Sequence, residues 1–515
     1  MDQLRNLLTW NASVWNPAFL ALVLCFITLL TMLFVARPRL YLPLFLFTAP
    51  LPKLFTIASY SDTLAGGYVL NAAPGFSVVD LVLAAGILTL FFRRWHLLRV
   101  PASRSFVRAL VLWSASVLFS VLIGLLFWSE TYRPVFAVYA ARYVLTLASF
   151  VIAAQFGVHE NSERSVRKLL HQLAIAGNAT IALGLLYYFE FGSSIGGTRG
   201  VQLAMEGGSA TFRTYLWFFD YSDDMGYYAS LIAVLNVILL SDRRFGGHRL
   251  MNAAGLLGCV TTVLLIGERA NVLVAGAALA YFLWETSRLR HRSVRVSIAF
   301  QAACVLAVIL AFGATMSVIS PEFISNKFEH SVGEDTSIRD SAMEVMETAG
   351  VPQVLSSTAA SLPIGDFAYR LALSTAGLWY FFAHPGGVGF WGQLDAAGFY
   401  SHHEFITIAI EQGVLGLAAL LFFLIRLRRL LWSAQDLPGA PGQLGVLMRS
   451  ISVGLFAAMV MANTVLLDMK FALVYWTLVG VWSVVPRNLP RVYPAVAVSA
   501  PQPRRLPAQV EPSFR

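Results

Sequence analysis

The sequence predicts an all-α fold: a polytopic membrane helix bundle of about 12–13 spans with one large loop outside it. Three observations lead there. The first is composition. Of 515 residues, 57% are hydrophobic and 13% charged, against roughly 45–50% and about 25% in soluble domains. So little charge does not cover a globular surface, which excludes a cytosolic enzyme, a nucleic-acid binder and a disordered scaffold. The second is the uncharged runs, such as Leu20–Val35, Leu110–Phe127 and Leu256–Ile266. A spanning helix needs about 20 mostly apolar residues, and these runs lack the alternation of barrel strands. The third is where charge falls. The formal net charge is +9, yet 26 of the 37 Lys and Arg lie in short segments between apolar runs or in the C-terminal tail. Arg93/Arg94, Arg243/Arg244, Arg288/Arg290 and Arg426/Arg428/Arg429/Arg449 are examples. They recur after every second span, as the positive-inside rule requires of cytoplasmic loops.

Apolar length sets the spans at 18–36, 40–58, 77–92, 106–128, 135–156, 169–190, 224–241, 250–267, 270–286, 296–317, 405–425, 450–467 and 471–486, with the N-terminus outside. The first reads as a retained anchor, since it lacks a small-residue cleavage site. The second holds Pro43, Pro50 and Pro52 and is a candidate broken or re-entrant segment. The chain thus divides into residues 1–317 with spans 1–10, an outside loop at 318–404, spans 11–13 within 405–486, and a Pro-rich disordered tail at 487–515. The loop contains amphipathic helices at about 337–348 and 366–383, the latter aromatic on one side. Cys25, Cys259 and Cys304 sit in apolar runs and read as small hydrophobes. No internal repeat appears, which counts against an inverted-repeat transporter.

Eleven basic residues do not belong to the topology signal, among them Arg142, Arg213, Arg269 and Arg370. An ionised group at membrane depth is costly unless paired or solvated. Arg269 lies in LLIGERANVL, at the tip of a two-span hairpin, where Glu268 either neutralises it or leaves it for a ligand. A guanidinium suits diphosphate oxygens bidentately. His402 and His403 precede the span at 405–425. An imidazole there can take a proton from a hydroxyl. The alternatives are interface residues, loop caps, or a metal pair with Glu404, although adjacent positions on a helix diverge. Asp220, Asp223 and Asp224 precede the span at 224–241 and read first as helix caps, second as cation ligands.

The stretch 370–416 resembles the bacterial O-antigen ligase/O-antigen polymerase family of membrane glycosyltransferases. Arg370 leads, Pro385 follows, then Gly387-Val388-Gly389, then the histidine pair, then Glu411 and Gly413. Upstream, GERANVLVAG resembles the family's arginine hairpin, and Arg213–Ala229 resembles its loop-to-span entry more weakly. His403 stands where the family has Asn, Glu268 where it has a small hydroxyl residue, and Ala270 where it has Gly. The resemblance covers about 205–425. It implies a multi-pass inner-membrane enzyme whose large loop and active site face the periplasm. Its substrates are an undecaprenyl-diphosphate-linked glycan donor and acceptor, transferred with inversion and without cofactor or metal. His402 falls at the catalytic histidine and Arg269 at a diphosphate ligand. Arg213, Arg370 and His403 are the expected contacts for diphosphate or glycan. Polymerisation of an exopolysaccharide or O-antigen is the leading activity, with a flippase and a chain-length regulator as possible partners. The alternatives are ligation to lipid A-core and transport of lipid-linked sugars. The absence of any nucleic-acid partner is a further expectation.

Overall fold

The chain is described by a computed structural model at residues 17–51, 53–56, 60–63, 69–72, 75–93, 104–127, 133–157, 162–191, 201–206, 209–214, 222–241, 248–266, 269–289, 343–352, 365–390, 392, 401, 403–433, 437, 439–459 and 470–488. It is predominantly helical. α1 (Pro17–Ala36) is followed by a single turn at Pro38–Leu40 and a short α2 (Tyr41–Thr48). Then come α3 (Val78–Phe92), α4 (Arg104–Phe127), α5 (Arg133–Gly157), α6 (Glu163–Phe191), α7 (Ser222–Ser241), α8 (Arg249–Ile266) and α9 (Arg269–Leu289). α10 (Gly365–Ala383), α11 (Glu404–Trp432), α12 (Gly439–Ala458) and α13 (Lys470–Asn488) complete the bundle. Three antiparallel strand pairs lie in the connections. β1 (Lys53–Thr56) pairs with β4 (Gly75–Ser77) around the inner pair β2 (Tyr60–Thr63) and β3 (Val69–Ala72), and β5 (Val201–Glu206) pairs with β6 (Ser209–Thr214).

Among the described residues, five helices are long and apolar enough to cross a membrane: Ser105–Leu126, Glu163–Leu186, Asp224–Ser241, Arg249–Ile266 and Glu404–Trp432. Leu20–Ala36 with Pro38–Thr48 makes a sixth if counted as one, bent by 118°. Within the expected span at 40–58 only Tyr41–Thr48 is helical, and the chain continues as β1, in keeping with the broken segment its prolines suggest. Pro38 disfavours helix at Arg37, so the chain turns back there. Tyr41 then stacks on Phe156, with centroids 4.3 Å apart. The expected span at 296–317, the tail expected at 487–515 beyond Asn488 and most of the loop expected at 318–404 lie outside the described residues. Within that loop, the helix expected at 337–348 is seen at 343–348, and the one at 366–383 is α10.

The outward faces are apolar. Leu22, Leu29 and Met32 on α1 are 63%, 66% and 64% exposed, which suits lipid and would be a liability in water. α7 is the opposite case and is buried nearly all round. Lipid gives apolar helices little reason to associate, so packing and interhelical hydrogen bonds must hold them. Gly480 of α13 makes room for α5, where an added Cβ would stand 2.5 Å from the Phe150 carbonyl oxygen. Gly454 of α12 does the same against the Val274 carbonyl of α9, at 2.6 Å. Asn178 of α6 and Asn236 of α7 exchange amide hydrogen bonds of 3.2 and 2.8 Å.

One buried ion pair corrects the charge reading. By position Arg449 groups with the loop basics, and the expected span begins after it, at 450. Instead α12 starts at Gly439 and Arg449 is wholly buried within it. Its Nε donates to Glu285 Oε1 of α9 at 2.9 Å, and Nη1 donates to the Leu431 carbonyl of α11 at 3.2 Å. Removing one partner strands a buried charge, whereas replacing both with apolar side chains does not. Arg449→Met or Glu285→Leu alone should therefore cost about 3–5 kcal/mol, and the double variant much less. Thermal unfolding of the four purified proteins in detergent checks this, and additive losses would refute it.

Candidate functional site

The starts of four helices and the end of a fifth meet at one end of the bundle. α9 and α12 run antiparallel, since Gly454 lies against Val274 while Arg449 lies against Glu285. The C-terminal end of α12 is thus level with the start of α9. Glu404 N–H, in the first turn of α11, donates to the Met459 carbonyl just after α12, at 3.1 Å. Gly226 of α7 lies against Asn271 of α9. Asp224 of α7 accepts the Phe471 N–H from the first turn of α13, at 3.1 Å. Asp224, whose position reads as a helix cap, accepts a hydrogen bond from the start of a second helix.

The expected site residues map onto this end as follows. Arg269 is the first residue of α9. His403 is the N-cap of α11, in extended backbone with φ −142° and ψ 112°. Arg370 belongs to α10, whose Gly377 packs on Ile406 and Ser401 beside the α11 start. α10 and α11 run in the same sense there, so position 370 lies about 10 Å beyond Gly377, toward the same end. Arg213 is on β6, which runs beside α8. His402 lies outside the described residues. For Arg213, Arg269 and Arg370 only the backbone is described. The structure thus brings the backbones of Arg269, Arg370 and His403 to one end.

His403 is half-buried, and its Nδ1 has no hydrogen-bond partner among the described residues. Its ring stands 5.9 Å from that of Phe405. Desolvation pulls its pKa below the ordinary 6.5. Among the described residues no group of three or more His, Cys, Asp or Glu is placed to hold a metal ion.

Gly387, Gly389 and Gly413 belong to the motif read from the sequence. Their structural role is different. α11 is broken at Gly413, with φ 67° and ψ −166°. The loop after α10 fits into the break. Val414 N–H donates to the Pro385 carbonyl at 3.0 Å, while Val388 and Gly389 N–H donate to the Ile410 and Glu411 carbonyls at 3.0 and 2.9 Å. Ser120 of α4 closes the seam, donating its hydroxyl to the Glu411 carbonyl at 3.1 Å and accepting Phe390 N–H at its own carbonyl at 3.0 Å. A Cβ at Gly387 would stand 2.6 Å from Gly413 N, and one at Gly389 2.6 Å from Gly124 N. Asn271 was missed. It is fully buried, with neither amide atom hydrogen-bonded among the described residues, a state that costs about 1–3 kcal/mol. The available signal was a polar side chain in an otherwise apolar span.

Neither a protein-family model nor a curated protein matches this chain.

Two outcomes follow. Gly413→Ala places a side chain in a region reserved to glycine and against the Pro385 carbonyl, so it should destabilise by about 1–3 kcal/mol. Gly276→Ala, which meets nothing within 4 Å, should be neutral or better by the same thermal assay. For His403, the unfolded imidazole takes a proton at its ordinary value and the folded one only at lower pH. Stability is therefore lost as pH falls through about 6.5. Between pH 7.5 and 5.5 the melting temperature of His403→Gln should drop less than that of the wild type. An equal drop would count against the burial of the ring.

Proposed function

We propose that this chain is a membrane glycosyltransferase of 12–13 spans. In this reading it acts on undecaprenyl-diphosphate-linked glycan at the periplasmic face of the inner membrane and polymerises repeat units of an exopolysaccharide or O-antigen. The end where α7, α9, α11 and α13 begin is then the periplasmic end. In support, the basic residues Arg249, Arg288, Arg426, Arg428 and Arg429 lie at the opposite ends of α8, α9 and α11, as cytoplasmic charges should.

One observation carries the reading. A helix start attracts anions, and among the described residues three of the four converging starts have a carboxylate. α7 has Asp224, α11 has Glu404, and α13 receives Asp224 at Phe471 N–H. α9 begins with Arg269 and has no acidic residue in its first turn, while Glu268, the residue before it, lies outside the described residues. A guanidinium on the positive end of a helix dipole is unfavourable by itself and favourable with an anion bound. A lipid diphosphate is such an anion, and it reaches the bundle from the lipid.

The chemistry follows from that assignment. The acceptor hydroxyl oxygen attacks the anomeric carbon from the face opposite the diphosphate. The bond from that carbon to the phosphate oxygen breaks, its electron pair leaves on the diphosphate, and the configuration inverts. His402 takes the hydroxyl proton, and Arg269 offsets the charge gathering on the leaving group. Arg213, Arg370 and His403 hold the glycan or diphosphate.

His402→Ala, expressed at wild-type level, should lower transfer by about 10²–10⁴-fold, and Arg269→Ala should also impair it. A knockout should leave single repeat units on the acceptor. Free lipid-linked long chains would point to a ligase instead. Normal glycan in His402→Ala cells would refute the catalytic assignment, and loss of activity in EDTA with rescue by Mg²⁺ would refute the metal-free step.

A further inference from the structure

Asn271 is the third residue of α9, two beyond Arg269. It is fully buried, and neither Oδ1 nor Nδ2 has a partner among the described residues. Its amide lies against Gly226 of α7, where a Cβ would come within 2.1 Å of Nδ2. Glycine at 226 is therefore what admits the amide. A second buried amide without a partner, Asn252, sits near the start of α8, about 20 Å along that helix from the converging end. It shares the burial of Asn271 but not its place.

We propose that Asn271 is a specificity-determining residue that holds the sugar attached to the lipid diphosphate. The proposal rests on the glycosyltransferase reading. An amide presents donors and an acceptor side by side. A phosphate oxygen only accepts, so it satisfies Nδ2 and leaves Oδ1 facing negative charge. A sugar hydroxyl or acetamido group both donates and accepts, and so completes both atoms. Position agrees with this division. Helix geometry separates residues 269 and 271 by about 200° around the axis and about 3 Å along it. The two positions flank the helix start instead of sharing a face. A glycosylated lipid diphosphate lying across that start has its anion toward Arg269 and its first sugar toward Asn271. Burial sharpens the choice, because a ligand without the hydroxyl leaves both amide atoms unpaired away from water.

The test uses the purified full chain and measures affinity for undecaprenyl diphosphate, bare or carrying glucose, galactose or N-acetylglucosamine. The wild type should hold at least one glycosylated lipid about tenfold or more tighter than the bare one. Asn271→Leu removes the polar atoms at similar volume. It should bind the bare lipid as the wild type does and lose the preference. Asn252→Leu should keep it. Gly226→Ala displaces the amide without altering it and should lose the preference too, which covers the case in which Asn271→Leu fails to fold. Preference retained in either Asn271→Leu or Gly226→Ala overturns the proposal, as does a wild type that holds all the lipids equally. A wild type that binds none of them, bare lipid included, overturns the glycosyltransferase reading and this inference with it.

Discussion

Every backbone N–H and C=O that leaves a helix inside an apolar bundle must find another partner, because neither lipid nor side-chain hydrocarbon can supply one. α11 faces this demand at Gly413, about 13 Å from its start. The carbonyls of Ile410 and Glu411 are freed there, and the Val414 N–H with them. Pro385–Gly389 meets all three. The fit is close enough that glycine is required on both sides of the seam. A break sealed in this way fixes more than α11. It sets where α10 ends, and with it the position of α10 beside the turn that carries His403. α4 is bound in as well, through Ser120. The backbones at positions 370 and 403 are thus tied together through the main-chain bonds between α10 and α11.

Side-chain pairs set the order of the remaining helices. Asn178–Asn236 joins α6 to α7, Arg449–Glu285 joins α12 to α9, and Asp224 joins α7 to α13. Each has one partner geometry, whereas apolar contact alone tolerates sliding. Glycines at 226, 454 and 480 then let the backbones close to the distances these bonds need.

What was legible in the sequence was local. Hydropathy placed the spans at 18–36, 106–128, 224–241 and 250–267 within a few residues of α1, α4, α7 and α8, because an apolar run carries its own helix signal. The strand pairs in the connections gave no comparable signal. Arg449 was misread because loop and interior arginines look alike until the partner is known, and Glu285 is 164 residues away. The break at Gly413 was hidden for the same reason, since its partner loop lies upstream beyond the start of the helix. In the site, the hairpin reading put Arg269 at a helix tip, where α9 begins. The histidine motif located the α11 start, with His402 itself outside the described residues. Asp224 was recognised as a cap but not as the cap of α13. Which groups meet across the bundle is a property of the fold, and periodicity does not contain it.

α9 brings these threads together, because its two ends meet the cost of polarity differently. At one end Glu285 is answered inside the protein by Arg449. At the other, Arg269 begins the helix where the dipole favours an anion, and the first turn supplies no acid. The neighbouring starts of α7, α11 and α13 do have carboxylates. If Arg269 served only to anchor the chain at the membrane surface, nothing would favour burying an unpaired amide two residues further on. A guanidinium at a helix start and a buried unpaired amide are each unfavourable in the protein by itself and become favourable with a ligand that brings negative charge and hydroxyls together. On the function proposed above, a sugar diphosphate on a lipid is that ligand, and the apolar exterior leaves it a route from the bilayer.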